Sequence, residues 1–180
     1  MSRSVSFFHV HSRLYLALYE KGQAEILAKH EFQNKYIIRS PLSTVWSDAE
    51  NGFSPGSLSE VYQFDSSVKE MTRKNPEFRI VFSSGAGSEL QVKTAFLIGC
   101  HMIMSHGIGF EETFLAFRPL HDKIESLTVS NRGKLSVSFK SCLRAVCCAK
   151  CMNWVDFRDD LGVGGVIGKI PMDEYLHYAW

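Results

Sequence analysis

Short apolar runs in the first fifty positions predict β-strands. Residues 5–10 and 14–19 form the two clearest runs, and His11, Ser12 and Arg13 between them can close a hairpin. Weaker strands are predicted at residues 25–27, 35–38 and 43–50. The beginning of the chain therefore predicts several strands, two of them in a possible hairpin.

The most apolar stretch, residues 79–106, predicts a buried strand, a glycine loop and a long helix. Strand-forming residues fill positions 80–82, and Gly85 and Gly87 then allow a sharp turn. Apolar side chains continue through the predicted helix, which Gly107 is expected to end. We expect the rest of the chain to be organised around this unit.

Helical spacing and capping signals predict three more helices. Ser57 and Glu60 form a capping box at the start of the first helix, which Pro76 ends. The other two helices are predicted at residues 110–117 and 137–152. Polar residues 121–134 and glycine-containing residues 159–168 predict loops, and Trp154 and Phe157 are expected to anchor the chain between them.

Together these elements predict one α/β domain over residues 1–180, with a mixed central sheet flanked by helices. The chain is 45% hydrophobic and 22% charged with a net charge of +1, which is typical of a globular domain and does not favour nucleic-acid binding. The most apolar window, residues 94–104, contains His101 and is too short to cross a membrane. Without an export signal, the five cysteines are expected to be reduced, in the nucleus and cytoplasm.

A strand, a glycine loop and a helix N-terminus can cradle a phosphate group. Cysteine-dependent phosphatases place a nucleophilic Cys in such a loop, and an Arg six residues later binds the phosphate oxygens. Here Ser83 and Glu89 stand at those two positions, and no cysteine of the chain is followed by Arg at that spacing. The sequence therefore predicts a degenerate phosphate loop, made of Ser83, Gly85, Gly87 and Glu89, and no catalytic residue.

Cysteine and histidine patterns do not predict a metal site. Cys148 and Cys151 form one Cys-x-x-Cys pair, but zinc sites commonly need a second pair. His101 and His106 lie five residues apart, off one helical face, and indicate core or surface roles. We expect neither a metal nor a cofactor.

Several motifs, in order, resemble the N-terminal domain of the dual-specificity protein phosphatases of the cell-division-cycle-fourteen type. The longest is Thr-Ala-Phe-Leu-Ile-Gly-Cys-His-Met-Ile at residues 94–103, followed by Phe-Glu-Glu-Thr at residues 110–113. The others lie at residues 13–19, 52–62 and 172–178. The resemblance implies a protein-tyrosine-phosphatase-like fold without a catalytic cysteine, in a family whose second, C-terminal domain performs the chemistry.

The resemblance also implies a role in recognising phosphoserine-proline substrates in cell-cycle control. An acidic patch would read a basic residue of the substrate, and Asp156, Asp173 and Glu174 are its expected members here. The implied partners are a phosphatase catalytic domain, in cis or in trans, and phosphoprotein substrates, with neither nucleic acid nor membrane. One alternative is a true phosphatase whose catalytic half is missing from this sequence. Another is a free-standing pseudophosphatase that binds phosphoproteins. Leu176 and Ala179 stand where the family has further glutamates, which weakens the expected patch.

Overall fold

Four strands from the first half of the chain form one mixed sheet. Strands β1 (Ser6–His11) and β2 (Leu14–Leu18) make an antiparallel hairpin, and β4 (Arg79–Ser83) pairs parallel to both β2 and β3 (Tyr36–Arg39). The strand order is therefore β1-β2-β4-β3. The α/β class and the mixed sheet are confirmed, as are the strands predicted at these positions.

The computed structural model describes residues 6–18, 36–39, 55–83, 87–128, 138–158, 165–168 and 170–178. The strands predicted at residues 25–27 and 43–50 lie outside these ranges.

Strand β4 is the centre of this sheet. Its middle residues Ile80, Val81 and Phe82 are almost completely buried, although their side chains point alternately to opposite faces. Both neighbours of β4 run parallel to it, and parallel sheets are usually covered on both faces, which explains a continuous apolar run rather than an alternating one. Helix α2 (Ser88–His106) follows this strand and is buried almost continuously from Gln91 to Met104.

Helix α1 (Leu58–Lys74) begins at the predicted capping box. The Ser57 hydroxyl accepts from the Glu60 backbone N–H, and the Glu60 carboxylate accepts from the Ser57 backbone N–H at 2.6 Å. Two buried side chains of its inner face are Val61 and Val68. Such a box stabilises a helix start by about 1 kcal/mol.

The guanidinium group of Arg13 joins the β1–β2 hairpin to the end of helix α1. It donates to the backbone carbonyls of Asn75 at 3.1 Å, of Thr72 and Phe78 at 3.4 Å each, and also of Pro76. Thr72 lies in the last turn of α1, where carbonyls lack helical partners, and the other three residues follow the end of the helix. One long side chain from the hairpin therefore completes the C-terminal end of α1.

Four further helices complete the described fold: α3 (Phe110–Ala116), α4 (His121–Thr128), α5 (Phe139–Cys151) and α6 (Met172–Tyr178), with a 3-10 turn at Arg118–Leu120. Helices α3 and α5 were predicted. Helix α2 ends at Gly107, whose φ of 70° is left-handed, as the stop signal predicts. None of the helices in the described ranges is long and apolar enough to cross a membrane.

Helix α4 contradicts the loop predicted at residues 121–134. Leu120 and Ile124 are buried and Leu127 is half-buried, so apolar residues recur at helical spacing within the polar stretch. This face packs on α2. The remainder of the predicted loop, from residue 129, lies outside the described residues.

A second, antiparallel sheet has three short strands, β5 (Val155–Asp156), β6 (Val166–Ile167) and β7 (Ile170–Pro171). The loop predicted at residues 159–168 is therefore wrong at β6, and residues 159–164 are not described. Phe157 anchors this sheet in the core, as predicted. The same prediction is wrong for Trp154, whose surface is 62% exposed.

We expect Gly165→Ala to destabilise the second sheet. A Cβ atom at Gly165 would lie 2.7 Å from the Asp156 backbone oxygen and 3.1 Å from Phe157 Cα, and backbone atoms cannot rotate away. The free energy of unfolding should fall by about 2 kcal/mol in urea denaturation. Gly109→Ala is the control, because nothing lies within 4 Å of its added Cβ. Equal stability of the two variants would contradict the close approach.

Candidate functional site

The predicted phosphate loop lies between strand β4 and helix α2. Ser83 is the last residue of β4 and is half-buried, and Gly87 is the N-cap of α2 with an extended backbone and no capping side chain. Gly85 lies outside the described residues. The structure therefore confirms the strand and the helix of this unit, with the loop positions between them left as a prediction.

Glu89 occupies the first turn of helix α2, at the position where a phosphatase would have its arginine. Its carboxylate lies 2.9 Å from the ammonium group of Lys93, one turn further along the helix. Lys93 is only 4% exposed, so its charge is held against Glu89 away from bulk water. The helix N-terminus favours a negative charge, and Glu89 supplies one from the protein itself.

The predicted acidic patch is divided between a paired and an exposed carboxylate. Asp156, on β5, accepts hydrogen bonds from the Arg158 guanidinium, the shortest 2.6 Å. These bonds, opposed by partial burial, hold the pKa of Asp156 below its ordinary value. Glu174, on α6, is exposed, and the side chain of Asp173 is not described. Helix α6 packs on β6 and β7, so Asp156 and Glu174 belong to one small unit, in which Arg158 offsets the charge of Asp156.

A polar cluster that the sequence reasoning did not identify lies between helices α1 and α2. Asp65 is completely buried on α1, and His101 Nδ1 donates to its Oδ1 at 2.6 Å. The Ser105 hydroxyl donates to the same oxygen at 2.6 Å. Lys69 Nζ lies 2.9 Å from Oδ2 of Asp65. The two groups form an ion pair, but their angles do not fit a hydrogen bond.

These contacts keep Asp65 ionised. Burial acts to raise the pKa of its carboxyl group, but the hydrogen bond and charge of His101, together with Ser105 and Lys69, outweigh that effect and lower the pKa. An ionised carboxylate can only accept hydrogen bonds, so His101 carries its proton on Nδ1. The Nε2 atom of a neutral His101 therefore has a free lone pair.

His106 and His11 extend the cluster from buried His101 to the surface. His106 Nε2 lies 3.2 Å from His101 Nε2, and the ring of His11 lies 4.8 Å from that of His106. Burial, followed by the charges of His101 and His11, lowers the pKa of His106 to about 4. His106 is exposed at the end of α2, so this cluster can be reached from solvent.

One sequence signal could have indicated this cluster. The buried face of helix α1 consists of Val61, Phe64, Asp65 and Val68. An acidic residue within such an apolar stripe must have a buried partner, because an unpaired charge in the core is very costly. The spacing of His101 and His106 does not reveal the contact between their rings. Residues five apart do not share one face of a helix, yet the two Nε2 atoms lie 3.2 Å apart.

The cysteines are all free among the described residues. Cys100 and Cys142 are buried and Cys148 and Cys151 are exposed. Burial raises the pKa of both buried thiols, which makes them poor nucleophiles at neutral pH. In the parts of the chain that the structure describes, no group of three or more His, Cys, Asp or Glu side chains is placed to hold a metal ion.

Comparison with known proteins does not test the resemblance to the phosphatase family, which stays a prediction. No protein-family model matches the chain, and a search of curated proteins found no match.

Proposed function

We propose that this chain is a non-catalytic, protein-tyrosine-phosphatase-like domain that contributes to the recognition of phosphoserine-proline substrates. It would act for a dual-specificity phosphatase catalytic domain, in cis or in trans, in cell-cycle control. The proposal rests on the ordered motifs that resemble that family. The observation that carries its non-catalytic part is the ion pair of Glu89 and Lys93 at the start of helix α2.

The Glu89–Lys93 pair opposes phosphate chemistry for two reasons. A carboxylate repels a phosphate dianion at the position where a guanidinium group would bind it. The neighbouring cation cannot replace that guanidinium, because the Lys93 ammonium is buried and lies 2.9 Å from Glu89. Ser83 at the end of β4 has a hydroxyl group where the phosphatase reaction needs a thiolate.

The second sheet and helix α6 supply the recognition part of the proposal. Glu174 is exposed there and can attract a lysine or arginine of a substrate through charge. Asp156 already has Arg158 as a partner, so a substrate cation must compete for it. Glu174 is therefore the described residue of the expected patch whose removal should change binding most directly.

We expect the chain to bind a phosphoserine-proline-x-lysine peptide and Glu174→Gln to weaken that binding. One exposed ion pair contributes up to about 1 kcal/mol, so the dissociation constant should rise about twofold to fivefold at low salt. Fluorescence anisotropy with a labelled peptide measures the change. The difference between the variant and the parent should shrink as salt is added, because salt screens exposed charges.

Glu125→Gln is the matched control, since Glu125 is also exposed but lies on helix α4. A second peptide with glutamate in place of lysine should bind more weakly, and Glu174→Gln should not weaken its binding further. The purified chain should release no phosphate from either peptide. Phosphate release, or peptide binding that neither the lysine nor Glu174 affects, would overturn the proposal.

A further inference from the structure

The rings of His101 and His106 are arranged as two ligands of one metal ion would be. Their Nε2 atoms are 3.2 Å apart, their centroids are 4.9 Å apart, and their planes make an angle of 81°. Two imidazoles on one zinc ion, with Zn–N distances of about 2.0–2.1 Å and a near-tetrahedral angle, have nitrogens about 3.3 Å and centroids about 5 Å apart. A straight N–H···N hydrogen bond of the observed length would separate the centroids by about 5.5 Å.

Asp65 holds His101 in the orientation that a metal ligand needs. Its carboxylate accepts the Nδ1 proton, so the lone pair of an uncharged His101 ring lies on Nε2, 3.2 Å from His106 Nε2. In metal sites, a ligating histidine almost always donates its other ring N–H to such a carboxylate or carbonyl group. Ser105 fixes the carboxylate in turn, by donating to the same oxygen at 2.6 Å.

His106 forms the exposed side of this histidine pair. His106 is exposed, and His11 lies beside it at a ring distance of 4.8 Å. A bulge between His9 and His11 interrupts the pairing of β1 with β2, and bulges commonly redirect a side chain. Water, or His11 after a rotation of its side chain, can therefore complete the coordination.

We propose that the Nε2 atoms of His101 and His106 bind a divalent transition metal ion of the zinc type. When the ion binds, the proton of a neutral His106 moves from Nε2 to Nδ1 of the same ring, so that the Nε2 lone pairs of both rings face the ion, and Asp65 acts as the positioning residue behind His101. Imidazole nitrogens suit zinc, copper, nickel and iron and do not suit magnesium or calcium. The two-nitrogen site lies outside the phosphate loop and outside the acidic patch, so it does not depend on the proposed function.

The key experiment is a calorimetric titration of the purified chain with Zn²⁺, in a background in which Cys147, Cys148 and Cys151 are replaced by serine. This background removes the exposed and half-exposed thiols, which would bind zinc themselves. We expect one saturable site per chain. His106→Gln should weaken Zn²⁺ binding at least tenfold, and because His106 is exposed this variant should fold.

His9→Gln is the matched control, because His9 is an exposed histidine of the same strand as His11 and its ring bonds to the Ser12 carbonyl instead. It should bind Zn²⁺ like the parent. Asp65→Asn should weaken binding about 10-fold to 100-fold, provided that circular dichroism shows it folded. Co²⁺ should give a visible absorption band that His106→Gln abolishes, which reports the ligands directly.

Three results would overturn the proposal. The first is the absence of saturable Zn²⁺ binding at concentrations up to about 1 mM, where binding contributes only about 4 kcal/mol. The second is equal affinity of the parent and His106→Gln. The third is a loss of binding in His9→Gln as large as that in His106→Gln, which would indicate unspecific binding to surface histidines.

Discussion

Replacing Phe139 with alanine is expected to lower the free energy of unfolding by about 4 kcal/mol. Phe139 is the first residue of helix α5 and is completely buried. Its ring lies 6.0, 6.3 and 6.1 Å from those of Phe96, Phe114 and Phe117, so it joins helix α5 to helix α2 and to the α3 region. Truncation would leave a cavity among aromatic rings, which have little freedom to fill it. Urea denaturation, followed by circular dichroism, measures the loss.

Leu115→Ala is the control for this substitution, because Leu115 is also apolar but is 62% exposed on helix α3. Its removal should change stability by less than about 0.5 kcal/mol. Phe139→Leu should fall between the two variants, since leucine fills part of the same space. A Phe139→Ala protein as stable as Leu115→Ala would show that the aromatic cluster is not part of the core.

Replacing Asp65 with alanine is expected to cost about 3 kcal/mol of folding free energy. The substitution removes the acceptor of His101 Nδ1 and of the Ser105 hydroxyl, and the N–H of buried His101 then has no partner in the protein. Lys69 loses its ion-pair partner but keeps the Phe157 carbonyl as an acceptor and is partly exposed, so it adds little to the cost. Thermal and urea unfolding of the parent and the variant give the difference.

Glu70→Gln tests the same helix without the buried network. Glu70 follows Asp65 on α1 but is exposed and pairs with Lys74 at 2.6 Å, and exposed ion pairs contribute little to stability. We expect the stability of Glu70→Gln to match that of the parent. A loss in Glu70→Gln comparable to that in Asp65→Ala would mean that charge on α1, rather than the buried hydrogen bonds, stabilises the fold.

Elements with strong local signals could be predicted from the sequence. The capping box of Ser57 and Glu60, the apolar run of β4 and the glycine that ends α2 each depend on neighbours within a few positions, and each was found where expected. Helix α4 was missed because its charged and hydroxyl residues outnumber its two apolar side chains, Ile124 and Leu127. Only the presence of α2 beside it makes that narrow face sufficient.

The site was predictable only where it is local in sequence. Glu89 lies in the first turn of α2, as the strand-loop-helix reasoning requires. The Asp65–His101 contact joins residues 36 positions apart, and no single-sequence pattern specifies which face of α1 meets which face of α2. Trp154 was expected to be an anchor because it is large and apolar, but size alone does not decide which of two nearby aromatic residues faces the core.

The Arg13 contacts with the end of helix α1 have a consequence for the local unfolding of this protein. The hairpin and the helix end are separated by about 60 positions. Even so, the guanidinium of Arg13 in the hairpin binds four carbonyl groups at and just after the helix end. Strand β2 also pairs with β4, so the hairpin cannot detach without exposing both the sheet edge and those carbonyls. The two segments therefore form one cooperative unit, whose backbone amides should become accessible to exchange together rather than in turn.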